Sequence, residues 1–496
     1  MTVPRSRVAR LADAQVAAAL AQVRAELGIP TEFAAAAADE AATAARTGPL
    51  DVPGRSVARV DATDLPLLTI DPPGSMDLDQ ALHVAPAGDG WTVHYAIADV
   101  GAFVVPGGAL DSETHARGTT CYGPDGIVPL HPTSLSAGAA SLLPDQERPA
   151  VLWRFDLGAD GEPAAVHVAP ATVRSRAQLA YPQAQRMLDE HEPGALTDVL
   201  VGVRAVGRMR ERAERDRGGV SLSVPEHQVA ADGHGGWSTS FRAVLPMERW
   251  NSQLSLLTGM AAARLMLGAG VGLLRTMPPA DDRDVARLHR TAAALDVDWP
   301  ADEPYPHLLR RLDSAHPAEA AFLDAATSLF RGAGYVAFGG SDGAAPPTGS
   351  AARHAAIAAP YAHVTAPLRR LADRYASEVA IAACAESAVP EWVRAALPGL
   401  PSVMGRTGQR AAAYDREGTD VVEAAVLAPR VGGTFDGVVV DRRDAEPTRG
   451  ELVVRHPAVR ARIEADDGSD LPLGVPVRAR LAEASVPRRT VLFRLP

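Results

Sequence analysis

Residues 69–82 read Thr69-Ile-Asp-Pro-Pro-Gly-Ser-Met-Asp-Leu-Asp-Gln-Ala-Leu82. An apolar run precedes the three aspartates of this stretch, Asp71, Asp77 and Asp79, and a pair of strands is expected to follow them. Carboxylates this close together repel each other unless a cation or a network of hydrogen bonds holds them. The stretch therefore predicts an acidic loop between strands, and this loop is the first candidate for a metal site.

The spacing of the aspartates suits magnesium or manganese. Asp77 and Asp79 are two residues apart, so in an extended segment both side chains point to the same side, and Asp71 can turn back beside them through the Pro-Pro-Gly that follows it. Hard oxygen ligands suit Mg²⁺ or Mn²⁺, which can activate water for phosphodiester hydrolysis. Asx turns on a surface loop stay open as an alternative. Met76 and Leu82 stand where an EF-hand needs glycine and glutamate, which argues against a calcium loop.

A second motif occupies residues 361–375, which read Tyr361-Ala-His-Val-Thr-Ala-Pro-Leu-Arg-Arg-Leu-Ala-Asp-Arg-Tyr375. Threonine often caps the N-terminus of a helix, and proline is favoured in the first turn. Thr365 and Pro367 therefore predict a helix over about residues 367–385.

Two arginines would then lie in the first turn of that helix. Positive charge is unfavourable at this end of the helix dipole, so Arg369 and Arg370 break a local rule. A bound anion resolves the conflict, because helix amides and guanidinium groups together form a phosphate site. An ion pair between Arg369 and Asp373 on a solvated face is the open alternative, although it leaves Arg370 unexplained.

Composition bounds the class of protein. A chain of 496 residues has room for about two to four domains, and no apolar stretch approaches the roughly 20 residues that span a membrane. The formal charge of −11 argues against a general nucleic-acid binder, although arginines can still line a local groove. Cys121 and Cys384 are the two cysteines and lie far apart in sequence. A disulfide framework is therefore excluded, and we expect a cytoplasmic monomer without a signal peptide.

Hydrophobic patterning divides the chain into four regions. Residues 1–49 have apolar residues at helical spacing, residues 50–385 mix strands and helices, and residues 386–425 form a helical connector. Residues 426–496 contain short strands at regular intervals, which predict a small OB-type β-barrel. The expected fold class is α+β, with a mixed β-sheet surrounded by helices before the barrel. Within the large region we expect strands over 65–168, 220–224 and 238–244, helices over 181–217 and 245–267, and a loop at 339–350.

Two tyrosines lie in turn-like contexts. Tyr122 follows Gly-Thr-Thr-Cys and Tyr181 precedes a proline, and an exposed ring at such a place could stack on nucleic-acid bases. A packed or surface tyrosine remains the alternative for both. His83, His94 and His167 show no metal-ligand spacing, so we interpret them as structural.

Several motifs in colinear order resemble those of the ribonuclease II family, whose catalytic unit is the RNB domain. The resemblance covers roughly residues 50–385. Its blocks are Thr69-Ile-Asp-Pro with Met76-Asp-Leu-Asp-Gln-Ala-Leu82, Val93-His-Tyr-Ala-Ile-Ala-Asp-Val100, Arg117-Gly-Thr-Thr-Cys-Tyr122, Leu135-Ser with Ser141-Leu-Leu-Pro144, Gly219-Val-Ser-Leu-Ser-Val-Pro-Glu226, and His363-Val-Thr-Ala-Pro-Leu-Arg-Arg370. The resemblance implies a magnesium-dependent exoribonuclease that degrades single-stranded RNA from the 3′ end and releases 5′-nucleoside monophosphates.

The same resemblance assigns roles to residues. It implies that Asp71, Asp77 and Asp79 bind the metal and that Asp79 takes part in catalysis. It implies that Arg369 stabilises charge on the scissile phosphate, and it places Tyr122 where the family stacks bases. The further substrate-binding residues that we expect are Tyr181, Arg370, Gln80, His363 and Thr365. The C-terminal barrel would guide RNA by stacking and backbone contacts.

Three departures from the family pattern affect these expectations. Gln80 stands where the family usually has a fourth aspartate, so we expect weaker binding of one metal and a higher Mg²⁺ or Mn²⁺ requirement. Residues 252–259 lack the glutamate pair and later asparagine that the family commonly has there, which puts RNA-over-DNA discrimination in doubt. About 50 mostly helical residues replace the usual N-terminal cold-shock barrels. An RNA-binding protein with little activity, and a phosphodiesterase acting on DNA or short oligonucleotides, remain alternatives.

Overall fold

The structure is a computed structural model and describes residues 5–221, 226–231, 236–300, 302–313, 316–443 and 445–496. The helices are α1 (Arg5–Glu26), α2 (Ala35–Thr47), α3 (Ala109–Arg117), α4 (Tyr181–Asp189), α5 (Ala195–Asp216), α6 (Pro246–Ala269), α7 (Asp282–Ala294), α8 (Tyr305–Arg311), α9 (Pro317–Ala326), α10 (Leu371–Cys384), α11 (Glu391–Ala396) and α12 (Leu400–Leu427). The strands are β1 (Val60–Asp71), β2 (Gln80–Ala87), β3 (Gly90–Ala98), β4 (Cys121–Gly123), β5 (Gly126–Val128), β6 (Glu147–Leu157), β7 (Pro163–Ala180), β8 (Glu226–Ala231), β9 (Trp237–Arg242), β10 (Gly272–Thr276), β11 (Gly334–Phe338), β12 (Thr434–Arg443), β13 (Glu446–Arg455), β14 (Ala458–Ala465), β15 (Pro476–Ser485) and β16 (Thr490–Leu495).

The mixed sheet of the first half is confirmed, and it closes into a barrel. The strand order is β1-β2-β3-β6-β7, and a parallel pairing of β1 with β7 closes the ring while the other pairs are antiparallel. Large apolar side chains such as Leu82, Tyr95 and Trp153 are buried in one cluster with residues of α6 and α10. This packing places the barrel against the helices that complete the site.

The acidic loop connects two neighbouring strands of that barrel. Strand β1 ends at Asp71 and β2 begins at Gln80. The hydroxyl of Ser141 donates to the carbonyl of Met76 at 2.6 Å and accepts from the amide of Leu78 at 2.9 Å. A single buried serine therefore fixes the backbone of the loop between two of its aspartates.

Helix α10 exists close to where the sequence predicts a helix, but its start is different. It begins at Leu371, and Arg370 occupies the N-cap position, so the predicted cap at Thr365 is wrong. The carboxylate of Asp373 accepts from the amide of Ala366 at 2.7 Å and bonds Arg370, which folds residues 366–370 into a turn before the helix. The arginines consequently lie on this turn and at the cap.

Other boundaries also differ from the sequence prediction. The helix expected over 181–217 is two helices, α4 and α5, because Pro193 and Gly194, with φ 141°, interrupt it. The strand expected at 238–244 is confirmed as β9. The strand expected at 220–224 falls mainly on residues 222–225, which lie outside the described residues.

The C-terminal β-barrel is confirmed and has five strands in the order β12-β13-β14-β16-β15. Strand β14 was not distinguished by the sequence reading. Barrel residues such as Val439 and Phe493 are buried in one cluster with Leu20 of α1 and Val421 of α12. Among the described residues, no helix is long and apolar enough to cross a membrane.

Candidate active site

The acidic loop (residues 71–80) and the arginine motif (residues 361–375) are in direct contact. One carboxylate oxygen of Asp79 accepts from Nε of Arg369 at 2.7 Å, and the other accepts from the amide of Leu368 at 2.8 Å. Asp79 is only 2% exposed, whereas 41% of the Arg369 side chain is exposed. Burial raises the pKa of Asp79 to about 6, although Arg369 and the Leu368 amide act in the opposite direction. A buried anion thus holds a guanidinium that still reaches solvent.

Asp71 shares this electrostatic environment. Burial, and then the negative charge of Asp79, raises the pKa of Asp71 to about 7, with Arg369 opposing and Asp77 adding to the rise. Its Oδ2 atom is buried and accepts no hydrogen bond. A buried carboxylate oxygen without a donor is energetically costly, so a cation would stabilise it.

The residues present fit a divalent cation in part. Asp71 offers an oxygen without a partner, and Asp77 is half-buried close enough to influence the Asp71 pKa. Both oxygens of Asp79 already accept hydrogen bonds. Within the described ranges, no three His, Cys, Asp or Glu side chains are gathered as a ready set of metal ligands. Asp71 and Asp77 are therefore the residues with the freest oxygens for a hard ion such as Mg²⁺.

The raised pKa values predict a pH-dependent stability in the absence of metal. An unfolded aspartate titrates near about 3.9, below the value of about 7 for folded Asp71. The contribution of Asp71 to the free energy of unfolding is therefore fully present below about pH 3.9 and is lost as the pH rises through 7. In EDTA, we expect Asp71→Asn to be on the order of 2 kcal/mol more stable than the wild type at pH 8, with little difference at pH 4.

Urea unfolding at the two pH values measures this difference. Asp89→Asn, an exposed change in the β2–β3 turn, is the matched control and should track the wild type. Millimolar Mg²⁺ should stabilise the wild type at pH 8 more than it stabilises Asp71→Asn. An equal response of both proteins to Mg²⁺ would remove Asp71 from the metal site.

Gln80 has both ends of its amide occupied. Its Nε2 donates to the carbonyl of Thr365 at 2.7 Å, and its Oε1 accepts a short hydrogen bond from the hydroxyl of Tyr95. The side chain therefore links strands β2 and β3 to the arginine segment. A residue expected to contact substrate or metal acts in this structure as a brace between the two halves of the site.

Arg370 and Thr365 are also held by protein partners. Arg370 makes two hydrogen bonds to Asp373, at 2.9 and 2.8 Å. The alternative ion pair of Arg369 with Asp373 does not form, because Asp373 pairs with Arg370 and Arg369 pairs with Asp79. The buried hydroxyl of Thr365 lies 2.7 Å from that of Ser255 on α6. These contacts fix the loop from which Arg369 projects.

Tyr122 lies next to the Arg369 guanidinium. It is 42% exposed on the short strand β4, and the charge of Arg369 opposes the rise that burial causes in the pKa of its hydroxyl. The segment before β4 is tied to the arginine loop, since the amide of Thr120 and the hydroxyl of Thr119 both donate to the carbonyl of Arg369, at 2.9 and 3.0 Å. An exposed aromatic ring is thereby held beside the exposed arginine.

Tyr181 is the second tyrosine near the aspartates and Arg369. It is the first residue of α4, is half-buried, and its hydroxyl accepts from Nδ2 of Asn251 at 2.9 Å. Burial raises its pKa to about 12, and the charges of Asp71 and Arg369 also act on it. His363 lies deeper, with its Nδ1 2.6 Å from the hydroxyl of Tyr335. Both tyrosines are therefore within the electrostatic influence of Arg369, whereas the His363 ring nitrogen is occupied by Tyr335.

Sequence reasoning missed several residues that build the site. Tyr95, Asn251 and Ser255 contact Gln80, Tyr181 and Thr365 respectively. Asn251 and Ser255 are four residues apart on α6, so they lie on one face of that helix. The i, i+4 spacing of these two polar residues was the available signal, and no motif marked Tyr95.

Comparisons with known proteins agree with the fold described above. The family model described as RNB domain matches residues 59–384, and the one described as RNase II-type exonuclease C-terminal S1 domain matches residues 433–495. A curated relative, exosome complex exonuclease RRP44 homolog A of Arabidopsis thaliana, is 28% identical over 379 residues, covering 74% of this chain and 40% of that protein. The chain therefore spans less than half the length of this relative.

Two solved structures have a similar fold. Mycoplasma genitalium RNase R in complex with ribose methylated single-stranded RNA matches with a TM-score of 0.83 and 19% identity, over 96% of this chain and 77% of that one. Yeast Ssd1, described as a pseudonuclease, matches with a TM-score of 0.67 and 16% identity, over 88% of this chain and 53% of that one. At these identities the matches are evidence for the fold alone.

Proposed function

Since this chain belongs to the RNB domain family, we propose that it is a hydrolytic 3′-5′ exoribonuclease that degrades single-stranded RNA to 5′-nucleoside monophosphates. The observation that carries the proposal is the 2.7 Å contact of Asp79 with Arg369 beside the unpartnered oxygen of Asp71. This arrangement places an exposed guanidinium and free carboxylate oxygens at one point, which suits a phosphodiester and a cation together.

Each side chain has a defined role in this proposal. Asp71 and Asp77 would hold Mg²⁺ or Mn²⁺, and Asp79 would add negative charge and orient Arg369. A metal bound there would activate water and neutralise charge on the phosphate. The exposed nitrogens of Arg369 would bind the nonbridging phosphate oxygens, where negative charge develops during cleavage.

Recognition of RNA would depend on the aromatic residues around the site. Tyr122 is exposed beside Arg369 and can stack on a base, an interaction worth about 1–3 kcal/mol. Tyr181 would contact the nucleotide on the opposite side, and Arg370, Gln80, His363 and Thr365 would shape the pocket behind it. The solved complex of Mycoplasma genitalium RNase R supports single-stranded RNA as the partner.

The cellular setting is part of the proposal. Cys121 and Cys384 are free cysteines, which suits a reducing compartment. We propose a cytoplasmic enzyme that works as a monomer.

An RNA-binding protein with little or no catalytic activity is the second candidate. The internal hydrogen bonds of Gln80 favour it, since they leave that side chain unavailable to a second metal. The fold likeness to yeast Ssd1, a pseudonuclease, gives it further support.

One assay separates the two candidates. Single-stranded RNA and DNA of the same sequence, labelled at the 5′ end, are incubated with the protein in Mg²⁺, Mn²⁺ or EDTA. Metal-dependent stepwise shortening of the RNA is expected. Binding of RNA without shortening in any metal would favour the inactive binder, and equal shortening of DNA would favour a general phosphodiesterase.

A further inference from the structure

An aromatic cluster lies behind the arginine motif and surrounds one more arginine. The cluster consists of Tyr335, His354, Tyr361 and His363. Ring centroids are 6.1 Å apart for His354 and Tyr361, 5.5 Å for Tyr361 and His363, and 5.6 Å for His363 and Tyr335. The guanidinium carbon of Arg275 lies 4.8 Å from the centre of the Tyr335 ring. Tyr361 and His363 belong to the motif of residues 361–375, whereas Tyr335, His354 and Arg275 lie outside the sequence motifs.

The backbone fixes Arg275 in this position. It is paired with Tyr335 across the two-stranded sheet of β10 and β11. Its amide also donates to the carbonyl of Tyr361 at 2.8 Å, which joins β10 to the segment leading into the arginine motif. Arg275 is therefore part of the same rigid unit as Arg369 and does not depend on a separate loop for its placement.

The charge of Arg275 is not matched by nearby acids. Its side chain is half-buried, and it has no carboxylate within ion-pair distance among the residues that the structure describes. Burial, and then the charges of Arg370 and Arg275, lowers the pKa of His363, and burial followed by Arg275 lowers that of His354 to about 4. Both imidazoles are thus neutral at physiological pH. Asp373 neutralises Arg370 through two hydrogen bonds, so the positive charge of Arg275 is the one left without a counter-charge in this cluster.

A phosphate group satisfies these conditions best. The Arg275 guanidinium lies over the Tyr335 ring and has no carboxylate partner among the described residues, so its N–H groups are available for hydrogen bonds to an oxyanion. The backbone hydrogen bond of Arg275 to Tyr361 places it next to the start of the segment that carries Arg369 and Arg370. The charges of Arg370 and Arg275 both oppose the rise that burial causes in the pKa values of Tyr335 and Tyr361.

We propose that Arg275 forms a second phosphate-binding subsite behind the arginine motif, against Tyr335 and next to the backbone of Tyr361, which takes either a backbone phosphate of the RNA or the 5′-phosphate of the released nucleotide. The proposal rests on the proposed function for the source of the phosphate. It assigns to a residue outside the recognised motifs a direct part in holding the substrate or the product.

Binding measurements without catalysis test the subsite. A 5′-fluorescein single-stranded RNA is titrated with full-length protein in EDTA at several salt concentrations, and fluorescence anisotropy is followed. Arg275→Gln is expected to bind about tenfold more weakly, with a salt dependence reduced by about one phosphate contact. Arg275→Lys should recover the salt dependence but only part of the affinity. Arg331→Gln, which removes an exposed arginine just before β11, is the matched control.

Competition by a nucleoside 5′-monophosphate and by inorganic phosphate separates the two sources. If the subsite takes a backbone phosphate, Arg275→Gln weakens RNA binding and leaves nucleotide competition unchanged. If it takes the product phosphate, competition by the nucleotide weakens as well. Wild-type affinity, salt dependence and competition in a folded Arg275→Gln would overturn the proposal. If the proposed function fails but the subsite exists, the wild-type protein binds RNA without shortening it. Arg275→Gln then still weakens that binding.

Discussion

Asp79→Asn is expected to lower the rate of RNA shortening by at least about 100-fold. Asp79 is 2% exposed and accepts two hydrogen bonds, one from Nε of Arg369 and one from the amide of Leu368. Asparagine has nearly the same shape but no charge, and its amide nitrogen cannot accept from either donor. The guanidinium would lose its anchor and the proposed metal site would lose one negative charge.

The variant must be shown to be folded before its activity is interpreted. Removing one partner of the pair leaves the partly exposed Arg369 without a counter-charge, so the circular dichroism spectrum and the thermal midpoint of the variant are compared with those of the wild type. Activity is measured well below the thermal midpoint with excess labelled RNA. Asp89→Asn is the control for the exchange of an aspartate for asparagine. Undiminished shortening by purified Asp79→Asn would mean that another nuclease in the preparation produced the activity.

The pairing of Asp79 with Arg369 marks the limit of what the sequence could predict. Both halves of the site were identified from local rules: three crowded carboxylates and two arginines near a helix N-terminus. The pairing of Asp79 with Arg369 was not predicted, because two residues 290 positions apart in the chain are brought together by barrel closure and helix packing. The local rule instead paired Arg369 with Asp373. It failed because α10 begins at Leu371 and places Arg370, not Arg369, beside that acid.

The supporting residues were harder to predict for a different reason. Gln80 was expected to replace a metal ligand, since its position in the motif is that of an aspartate. Its longer side chain instead reaches Thr365 and Tyr95. Tyr95 lies in the buried second half of β3 and reads as an ordinary core residue, so its role as a donor follows only from the three-dimensional structure. Element types were predictable from periodicity, whereas side-chain partners were not.

Arg369→Lys is the second change with a large expected effect, a fall in kcat of about 100-fold with a smaller change in RNA affinity. Lysine keeps the positive charge, but it cannot donate to Asp79 and still present a two-pronged N–H edge to a phosphate. Because charge that develops only during cleavage is stabilised by the lost hydrogen bonds, the defect should appear in kcat and not in KM. Single-turnover and steady-state assays on labelled RNA measure the two constants, with Arg331→Lys as the exposed control.

Combining the two substitutions tests whether Asp79 acts through Arg369. If the carboxylate mainly orients the guanidinium, Asp79→Asn should cost far less in the Arg369→Lys background than in the wild type, because the group it orients has already been lost. Additive losses would instead indicate that Asp79 has a separate task, and the metal site is the place for it. A Mg²⁺ titration of each variant distinguishes these outcomes. If Asp79→Asn needs more Mg²⁺ for activity and Arg369→Lys does not, the separate task of Asp79 is to bind the cation. If both variants need the same Mg²⁺ concentration, orientation of Arg369 is the role of the carboxylate.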